Sequence, residues 1–238
     1  MLMMVDFTHT VIGMMHSPYK EKFAVPRQPG LVPSAKAELE ILAPYDDINA
    51  FDGLETFSHL WLVFEFHQNT SNTWSPTVRP PRLGGNKRVG VFATRSPNRP
   101  NNIGLSLVRY HGLEQRKGKL FLLLSNIDLV DGTPIVDIKP YIPYADSIPS
   151  ASAGFAQSAP SISVSVIFST QAIDQLQALP IEYKSLQQFI IEVLQQDPRP
   201  AYKKSKVDNK IYAMHLYDFN IKWQHSENSI TVHSIDPI

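Results

Sequence analysis

The residues with the clearest chemical potential lie in one stretch, 79–108, which carries a run of basic side chains. No Asp or Glu occurs between Glu65 and Glu114. Guanidinium and ammonium groups bind phosphates and carboxylates, so we expect this stretch to form an electropositive surface. A solvated basic hairpin that binds nothing is the alternative. The basic residues of the stretch are Arg79, Arg82, Lys87, Arg88, Arg95 and Arg99.

The second half of the stretch predicts a strand followed by a polar loop. Residues 89–93 are mostly apolar, and residues 94–101 carry hydroxyl, amide and guanidinium groups. Pro97 and Pro100 fix their own φ angles and push the preceding residues toward extended conformations, so the loop is stiff. A stiff polar loop at the end of a strand favours a preformed site for an anion or another ligand.

Two further segments have a similar character. Residues 26–30 form a second proline-flanked loop with a basic side chain, and residues 128–132 form an acidic turn after an apolar segment. Asp128 or Asp131 would accept hydrogen bonds from ligand hydroxyls or balance a cationic ligand. A plain Asp-Gly hairpin turn is the structural alternative. Three such loops at strand ends predict one shared pocket.

His67 and Gln68 follow directly on the apolar run 60–64, at the point where a strand leaves the core. A histidine in this position is either a capped structural residue or a contact for a ligand. The eight histidines of the chain show no paired spacing with carboxylates, so we predict no metal site.

Length and composition define the general class. The 238 residues suffice for one large or two modest domains, and 43% hydrophobic with 18% charged residues is typical of a globular protein. The 22 basic and 22 acidic residues cancel, so any affinity for nucleic acid has to come from local clustering. Because the sequence lacks cysteine, a signal-peptide pattern and a long apolar run, we expect a cytoplasmic protein that does not enter a membrane.

The elements that would position these residues are mainly strands. Short apolar or alternating segments, separated by Gly and Pro, favour a closed β-barrel in the first part of the chain. The run 60–64 predicts a strand that is buried on both faces. The predicted strands of this part cover residues 10–15, 38–42, 60–64, 89–93, 105–110, 120–125 and 134–138.

A change of composition divides the chain. Residues 148–160 are rich in Ala, Ser and Pro and predict a connector between a β-barrel domain, 1–147, and a smaller α+β domain, 161–238. In the second domain, residues 183–196 have apolar side chains at helical spacing and precede a proline. Its predicted strands cover residues 162–168, 211–216, 219–224 and 230–233.

Six ordered motifs together resemble the TsaA-like family, and within it the bacterial TrmO proteins, over nearly the whole chain. The motifs are SPYKEKFAVPRQPG, GLETFSHLWLVFEFHQ, RPPRLGG, GVFATRSPNRPNNIGLSLV, LVDGTPIVDIKPYIPYADS and QDPRPAY. One departure is visible, since the family's usual R-P-N-P-I-G has Asn102 in place of its second proline. Loss of that proline should loosen the loop slightly.

The resemblance implies a β-barrel methyltransferase that uses S-adenosylmethionine and acts as a homodimer. Its implied substrate is N6-threonylcarbamoyl-adenosine (t6A) at position 37 of threonine tRNA, next to the anticodon, which becomes m6t6A by methylation on N6. The methyl-donor site implied by the resemblance consists of Pro26, Arg27, Gln28, His67, Gln68, Arg95, Leu105, Asp128, Leu129, Val130 and Asp131. The candidate RNA contacts are Arg79, Arg82, Lys87, Arg88, Arg99 and Arg199.

The segment 197–202 also loosely resembles the Asp-Pro-Pro-aromatic loop of Rossmann-type amino-methyltransferases. In that interpretation Asp197 accepts a hydrogen bond from the amine, Tyr202 stacks on the base, and Arg199 meets a phosphate or carboxylate. A helix stop with proline is the alternative. For the whole chain, the alternative class is a non-catalytic RNA-binding barrel, against which the acidic turn at 128–131 argues.

Overall fold

The computed structural model describes residues 8–69, 74–160, 164–200, 203, 210–227 and 229–238. Strands dominate these residues, so the prediction of a mainly β chain is confirmed. The strands are β1 Gly13–His16, β2 Lys36–Ile41, β3 His59–Glu65, β4 Thr77–Val78, β5 Val89–Gly90, β6 Ile103–Arg116, β7 Lys119–Ser125, β8 Pro134–Pro140, β9 Ser165–Phe168, β10 Ile211–Leu216, β11 Phe219–His225 and β12 Ser229–Pro237. The α-helices are α1 Pro143–Asp146, α2 Thr170–Gln177 and α3 Leu186–Gln195.

Six strands of the first part form a closed ring in the order β1-β2-β7-β6-β3-β8. Every neighbouring pair in the ring is antiparallel. Closure pairs both edges of each strand, and it leaves one face of the ring for a core and the other for solvent or covering segments. The small hairpin β4–β5 lies outside the ring as a two-stranded sheet.

Burial along β3 alternates, which corrects the prediction of a strand buried on both faces. Leu60, Leu62 and Phe64 are buried, whereas the residues between them are partly exposed. The outer face of β3 also carries apolar side chains, and the segment after β8 covers part of that face. There Trp61 donates its indole N–H to Asp146 at 3.1 Å and its ring lies 6.1 Å from that of Tyr141.

The predicted strand 89–93 is wrong beyond its second residue. Only β5 pairs, with β4, and a turn of 3-10 helix, Val91–Ala93, follows. The turn separates two apolar neighbours, because Val91 is 1% exposed and Phe92 is 72% exposed. The polar loop then begins at Thr94, directly after this turn.

The C-terminal part is a four-stranded sheet with the order β10-β11-β12-β9, in which β9 is parallel to β12. The predicted helix is confirmed as α3, which buries five apolar side chains. The strands predicted at 211–216, 219–224 and 230–233 are confirmed, and the described part of 162–168 is a strand from Ser165. Helix α2 was not predicted, although Ser169 caps it by accepting a hydrogen bond from the Ala172 N–H.

The ring and the C-terminal sheet share one hydrophobic cluster. Tyr19, fully buried, forms a β-bridge with Leu216, and its ring lies 5.5 Å from that of Phe189 on α3. Residues 148–160, the predicted connector, are irregular apart from the turn Gly154–Ala156 and are exposed. Within the residues the structure covers, no helix is long and apolar enough to cross a membrane.

Gly104 lies directly beneath the ring of Phe64. A Cβ added at this glycine would be 2.2 Å from the ring atom Cζ, far inside any contact distance. The Phe64 ring in turn contacts that of Phe66, with centroids 4.9 Å apart. The absence of a side chain at position 104 therefore lets an aromatic core residue pack against the backbone of β6.

Candidate functional site

Three loops meet at one end of the ring, and the shared pocket predicted for them stays a prediction. They are the 17–35 loop between β1 and β2, the 91–102 loop before β6, and the 126–133 loop between β7 and β8. Arg95 donates from Nη1 to Oε1 of Gln28 at 2.7 Å, which joins the first two loops. The Gly30 N–H donates to the Asn126 carbonyl at 3.2 Å, which joins the first and third. Antiparallel pairing places these loops together because the ends of β1, β3 and β7 meet the starts of β2, β6 and β8.

Asp128 is the ionisable group at the centre of this convergence. Burial raises the pKa of its carboxyl group to about 6, while the Ser106 hydroxyl and the positive charge of Arg95 act in the opposite direction. The Ser106 hydroxyl donates to Oδ1 at 2.5 Å. A carboxylate so placed is stabilised by any ligand that brings hydroxyl donors or positive charge.

Asp131, in the same loop, has a different environment. Its Oδ1 accepts the Ser17 N–H at 2.7 Å and its Oδ2 accepts Lys20 Nζ at 2.8 Å. Both carboxylate oxygens are therefore engaged with the 17–35 loop. Asp128, the other acidic residue predicted to accept hydrogen bonds from a ligand, lies instead within reach of the charge of Arg95.

The other residues predicted to contact the methyl donor differ in how far they are exposed to solvent. Pro26 and Leu129 are buried, and the Leu129 carbonyl accepts the Ser17 hydroxyl at 2.7 Å. The Val130 carbonyl accepts the Thr133 hydroxyl at 2.7 Å. The Gln68 carbonyl accepts Lys22 Nζ. The predicted contacts with exposed side chains are Arg27, Gln28, His67, Arg95 and Leu105.

Arg99 holds the 91–102 loop in shape. Its Nη1 donates to the carbonyls of Thr94, at 3.0 Å, and Ser96, at 3.3 Å, which flank Arg95. Its guanidinium carbon also lies 5.9 Å from the centroid of the Phe92 ring. The structure thus gives Arg99 a positioning role, and its contact with RNA stays a prediction.

Asn102 occupies the position where the family resemblance leads us to expect proline. Its Oδ1 accepts Asn69 Nδ2 at 3.3 Å, and the same amide donates to the Pro97 carbonyl at 3.0 Å. These hydrogen bonds connect both arms of the loop to the end of β3. Side-chain hydrogen bonds thus hold the loop here, and the loosening expected from the missing proline stays a prediction.

The tip of the β4–β5 hairpin carries the other predicted RNA contacts. Arg79, Arg82, Lys87 and Arg88 are all exposed. Arg88 donates to the Thr77 hydroxyl at 2.9 Å, and Arg82 donates to the Ser158 carbonyl. Among the described residues no carboxylate forms an ion pair with any of these four. Their charges are available to an anionic partner.

Arg199 is held within its own loop, and its predicted contact with a phosphate or carboxylate of the substrate stays a prediction. Arg199 is fully buried, and its Nε and Nη2 donate to the two carboxylate oxygens of Asp197 at 2.9 and 3.0 Å. Asp197, with a φ of 45°, follows Gln196, the C-cap of α3. The amine-binding role of Asp197 stays a prediction, and Tyr202 lies outside the described residues.

The loop that begins at Asp197 is nevertheless close to the convergence. Although Arg27 is exposed, partial desolvation of its guanidinium group lowers the pKa of Arg27 from its ordinary value, and the negative charge of Asp197 acts in the opposite direction. The C-terminal part therefore contributes a carboxylate beside the 17–35 loop. In the part of the chain that the structure describes, no group of three His, Cys, Asp or Glu side chains is arranged to hold a metal ion.

Ser106 was missed by sequence reasoning. It is fully buried between Gly104 and Val108 on the inner face of β6, where an apolar residue is expected. A single hydroxyl at an inward-facing position of an otherwise apolar strand was the available signal, because a buried hydroxyl needs a hydrogen-bond partner.

Comparison with known proteins identifies the family. The model described as tRNA-methyltransferase O N-terminal domain matches residues 14–147, and the model described as TrmO C-terminal domain matches residues 161–238. The chain belongs to the tRNA-methyltransferase O family. The family expected from the six motifs is thereby confirmed.

Relatives of this family match end to end. The tRNA (adenine(37)-N6)-methyltransferase of Escherichia coli is 54% identical over 234 residues, which cover 98% of this chain and 100% of the relative. A Pseudomonas aeruginosa protein named as the putative S-adenosylmethionine-dependent methyltransferase RcsF is 47% identical over 92% of this chain and 93% of its own length. A crystal structure of TrmO from P. aeruginosa superposes with a TM-score of 0.78 at 37% identity, over 100% of both chains.

Proposed function

We propose that the chain methylates N6 of the adenosine at position 37 of tRNA, with S-adenosylmethionine as the methyl donor. The observation that carries the proposal is the convergence of three loops around Asp128 and Arg95, in a chain 54% identical over its length to a tRNA (adenine(37)-N6)-methyltransferase. The chain is thus an enzyme of the S-adenosylmethionine-dependent tRNA methyltransferases, as the motifs implied.

The residues of the convergence fit this donor. The donor supplies a methyl group on a positively charged sulfur, and its transfer requires a positioned acceptor nitrogen and exclusion of water. Burial disfavours the ionised form of Asp128, so the hydroxyl groups or the positive charge of the methyl donor would stabilise that form. Arg95 and Gln28 present an already oriented polar pair, and exposed Leu105 offers an apolar contact. We assign the full predicted donor set to this site as a proposal.

The finer substrate is t6A in threonine tRNA, which the enzyme converts to m6t6A. Resemblance to the family supports this choice, and so does the uncompensated charge of the hairpin tip, which suits RNA phosphates. A base in the anticodon loop is unpaired, so presenting it to the donor costs little. We also propose a homodimer, and a division into a domain of residues 1–147, a connector of 148–160 and a domain of 161–238.

Mass spectrometry of tRNA nucleosides tests the proposal. Threonine tRNA that carries t6A is incubated with the protein and S-adenosylmethionine, and a gain of one methyl group on t6A is expected. The controls are reactions without the donor and with tRNA that lacks the threonylcarbamoyl group.

Three results are informative. Methylation of unmodified adenosine would keep the general function and contradict the t6A substrate. No methylation, with tRNA still bound, would favour the alternative of a non-catalytic RNA-binding module. Methylation of t6A in other tRNAs at the same rate would contradict the restriction to threonine tRNA.

A further inference from the structure

Two large aromatic side chains lie exposed and stacked beside the convergence. Trp74 is 52% exposed and Phe92 is 72% exposed, and their rings lie 6.5 Å apart at an interplanar angle of 25°. We call this pair the aromatic platform. Exposed apolar groups that cluster in this way mark surfaces that bind a partner. Nothing in the reaction proposed above uses them.

The platform is held in place by the fold. The β4–β5 hairpin brings the segment after Trp74 alongside the turn that carries Phe92, where the Val91 N–H donates to the Pro76 carbonyl at 3.0 Å. Val91 is buried, and this fixes the turn so that the next side chain points outward. Both rings are therefore presented on ordered backbone.

Arg99 connects the platform to the donor site. Its guanidinium group lies over the Phe92 ring, and the same group donates to the two carbonyls that flank Arg95. A partner that stacks on the platform is thus seated on the loop that also presents Arg95. This arrangement suits a substrate whose one end is bound while another part reacts.

The charge around the platform decides the kind of partner. The chain has only basic charged side chains between Glu65 and Glu114, and the exposed hairpin tip contributes Arg79, Arg82, Lys87 and Arg88. Aromatic faces next to basic side chains are the recurring way to bind unpaired nucleotides. A second copy of this chain fits poorly, because a symmetric contact on this face would bring like charges together.

We propose that an unpaired base of the anticodon loop stacks on the aromatic platform while the hairpin tip contacts the neighbouring phosphates. This proposal rests on the proposed function and extends it to a substrate contact outside the donor site. The stacked base is not the methylated one, because methyl transfer requires a water-excluded position and Phe92 lies open to solvent.

The test compares the affinities of three variants and of the unsubstituted chain for two RNA probes. The probes are an RNA hairpin with the stem and seven-nucleotide loop of the anticodon arm, and a duplex of the same stem without the loop. Trp74→Ala and Phe92→Ala should each weaken binding of the hairpin about 10-fold, the effect of losing one stacked base, and leave binding of the duplex unchanged. Trp74→Phe should restore hairpin binding to within about 2-fold of the unsubstituted chain, because it keeps an aromatic face.

Tyr144→Ala is the matched control. Tyr144 is 91% exposed and follows β8, at the end of the ring opposite the three loops, so its loss should change neither affinity. Calorimetric titration with S-adenosylmethionine should give unchanged donor affinity in the Trp74 and Phe92 variants, which also shows that they are folded. In turnover, KM for tRNA should rise while kcat is retained.

Two other results would contradict the proposed role of the platform, and a third would separate that role from the proposed function. Equal losses on hairpin and duplex would mean that stacking is not involved. Unchanged hairpin affinity, with a variant that sediments as a smaller species, would make the face an interface between copies. An unsubstituted chain that binds the hairpin through the platform but never methylates tRNA would contradict the proposed function and still support the platform.

Discussion

Asp128 and Asp131 lie three residues apart and serve different purposes because their environments differ. Asp131 is surrounded by donors, with a backbone N–H and the Lys20 ammonium on its two oxygens. Asp128 has the Ser106 hydroxyl and the more distant charge of Arg95 against a larger effect of burial. One carboxylate fixes the loop, and the other remains responsive to a ligand.

Asp128→Asn should remove a pH dependence of stability. The pKa of Asp128 rises from 3.8 to about 6 on folding, so its contribution to stability is present below pH 4 and is lost as the pH rises through 6. The loss amounts to at most ~3 kcal/mol. In urea unfolding between pH 4 and 8, the variant should lack this decline and be the more stable protein at pH 8, with weakened affinity for S-adenosylmethionine. Asp137→Asn, at a partly exposed carboxylate, is the control, and identical profiles for Asp128→Asn and the unsubstituted chain would contradict the assignment.

Most single elements followed from sequence patterns, and the exceptions have physical causes. Alternation and β-branched or aromatic residues sufficed for the ring strands. The strand predicted at 89–93 failed because pairing with β4 covers only two residues, after which a turn separates Val91 from Phe92. Helix α2 has a low apolar content and gave no helical pattern, since only Ala172 is buried on it.

The β4–β5 hairpin is an element whose charged side chains are exposed and, among the described residues, form no ion pair with a carboxylate. Neutralising Arg79→Gln and Lys87→Gln together should weaken tRNA binding and reduce the slope of log affinity against log salt by about 2, since each cation that no longer meets a phosphate lowers the slope by roughly one. Stability and donor affinity should stay unchanged, because both side chains are exposed. Titrations at several salt concentrations provide the measurement, with Lys139→Gln, at an exposed lysine of β8, as the control. A slope equal to that of the unsubstituted chain would place the tRNA elsewhere.

At the scale of the whole molecule, the two family domains are tied together beside the site. Glu192 of α3 accepts both the backbone N–H and the hydroxyl of Ser34, at 2.8 and 2.7 Å, and Gln196 donates to the Leu31 carbonyl at 3.3 Å. Both contacts act on the 17–35 loop, which also presents Arg27 and Gln28. The C-terminal part therefore holds the loop to which we assign part of the proposed donor site.

Glu192→Ala should lower the stability of the protein and weaken its binding of S-adenosylmethionine. Loss of a charged acceptor that serves two donors should lower the free energy of unfolding by about 2 kcal/mol, and the freed loop should bind S-adenosylmethionine less tightly. Denaturant unfolding and calorimetric titration measure the two effects. Glu182→Ala, at an exposed carboxylate before α3, should change neither. Reduced stability with unchanged donor affinity would show that α3 does not position the loop.

The site was predictable as a set of loops and less so as a set of roles. Stiff polar segments at strand ends indicated which loops converge, and the motifs indicated which residues belong to them. The sequence did not reveal that Lys20 engages Asp131, because that contact joins segments distant in the chain. It also did not reveal that Arg199 is buried against Asp197, because that burial depends on the depth of the loop. Ser106 was overlooked although it occupies an inward-facing position of an otherwise apolar strand, because its partner Asp128 lies 22 residues away in the chain.

The glycine beneath Phe64 makes the tolerance of the loop motif to sequence variation uneven. At position 102, where the family resemblance leads us to expect proline, this chain has asparagine, and its side chain accepts a hydrogen bond from Asn69. Two residues later no comparable freedom exists, because even the methyl group of alanine would displace the Phe64 ring from the core. Substitutions in this motif should therefore be tolerated where the side chains lie in the polar loop. They should not be tolerated where the backbone itself packs against the core.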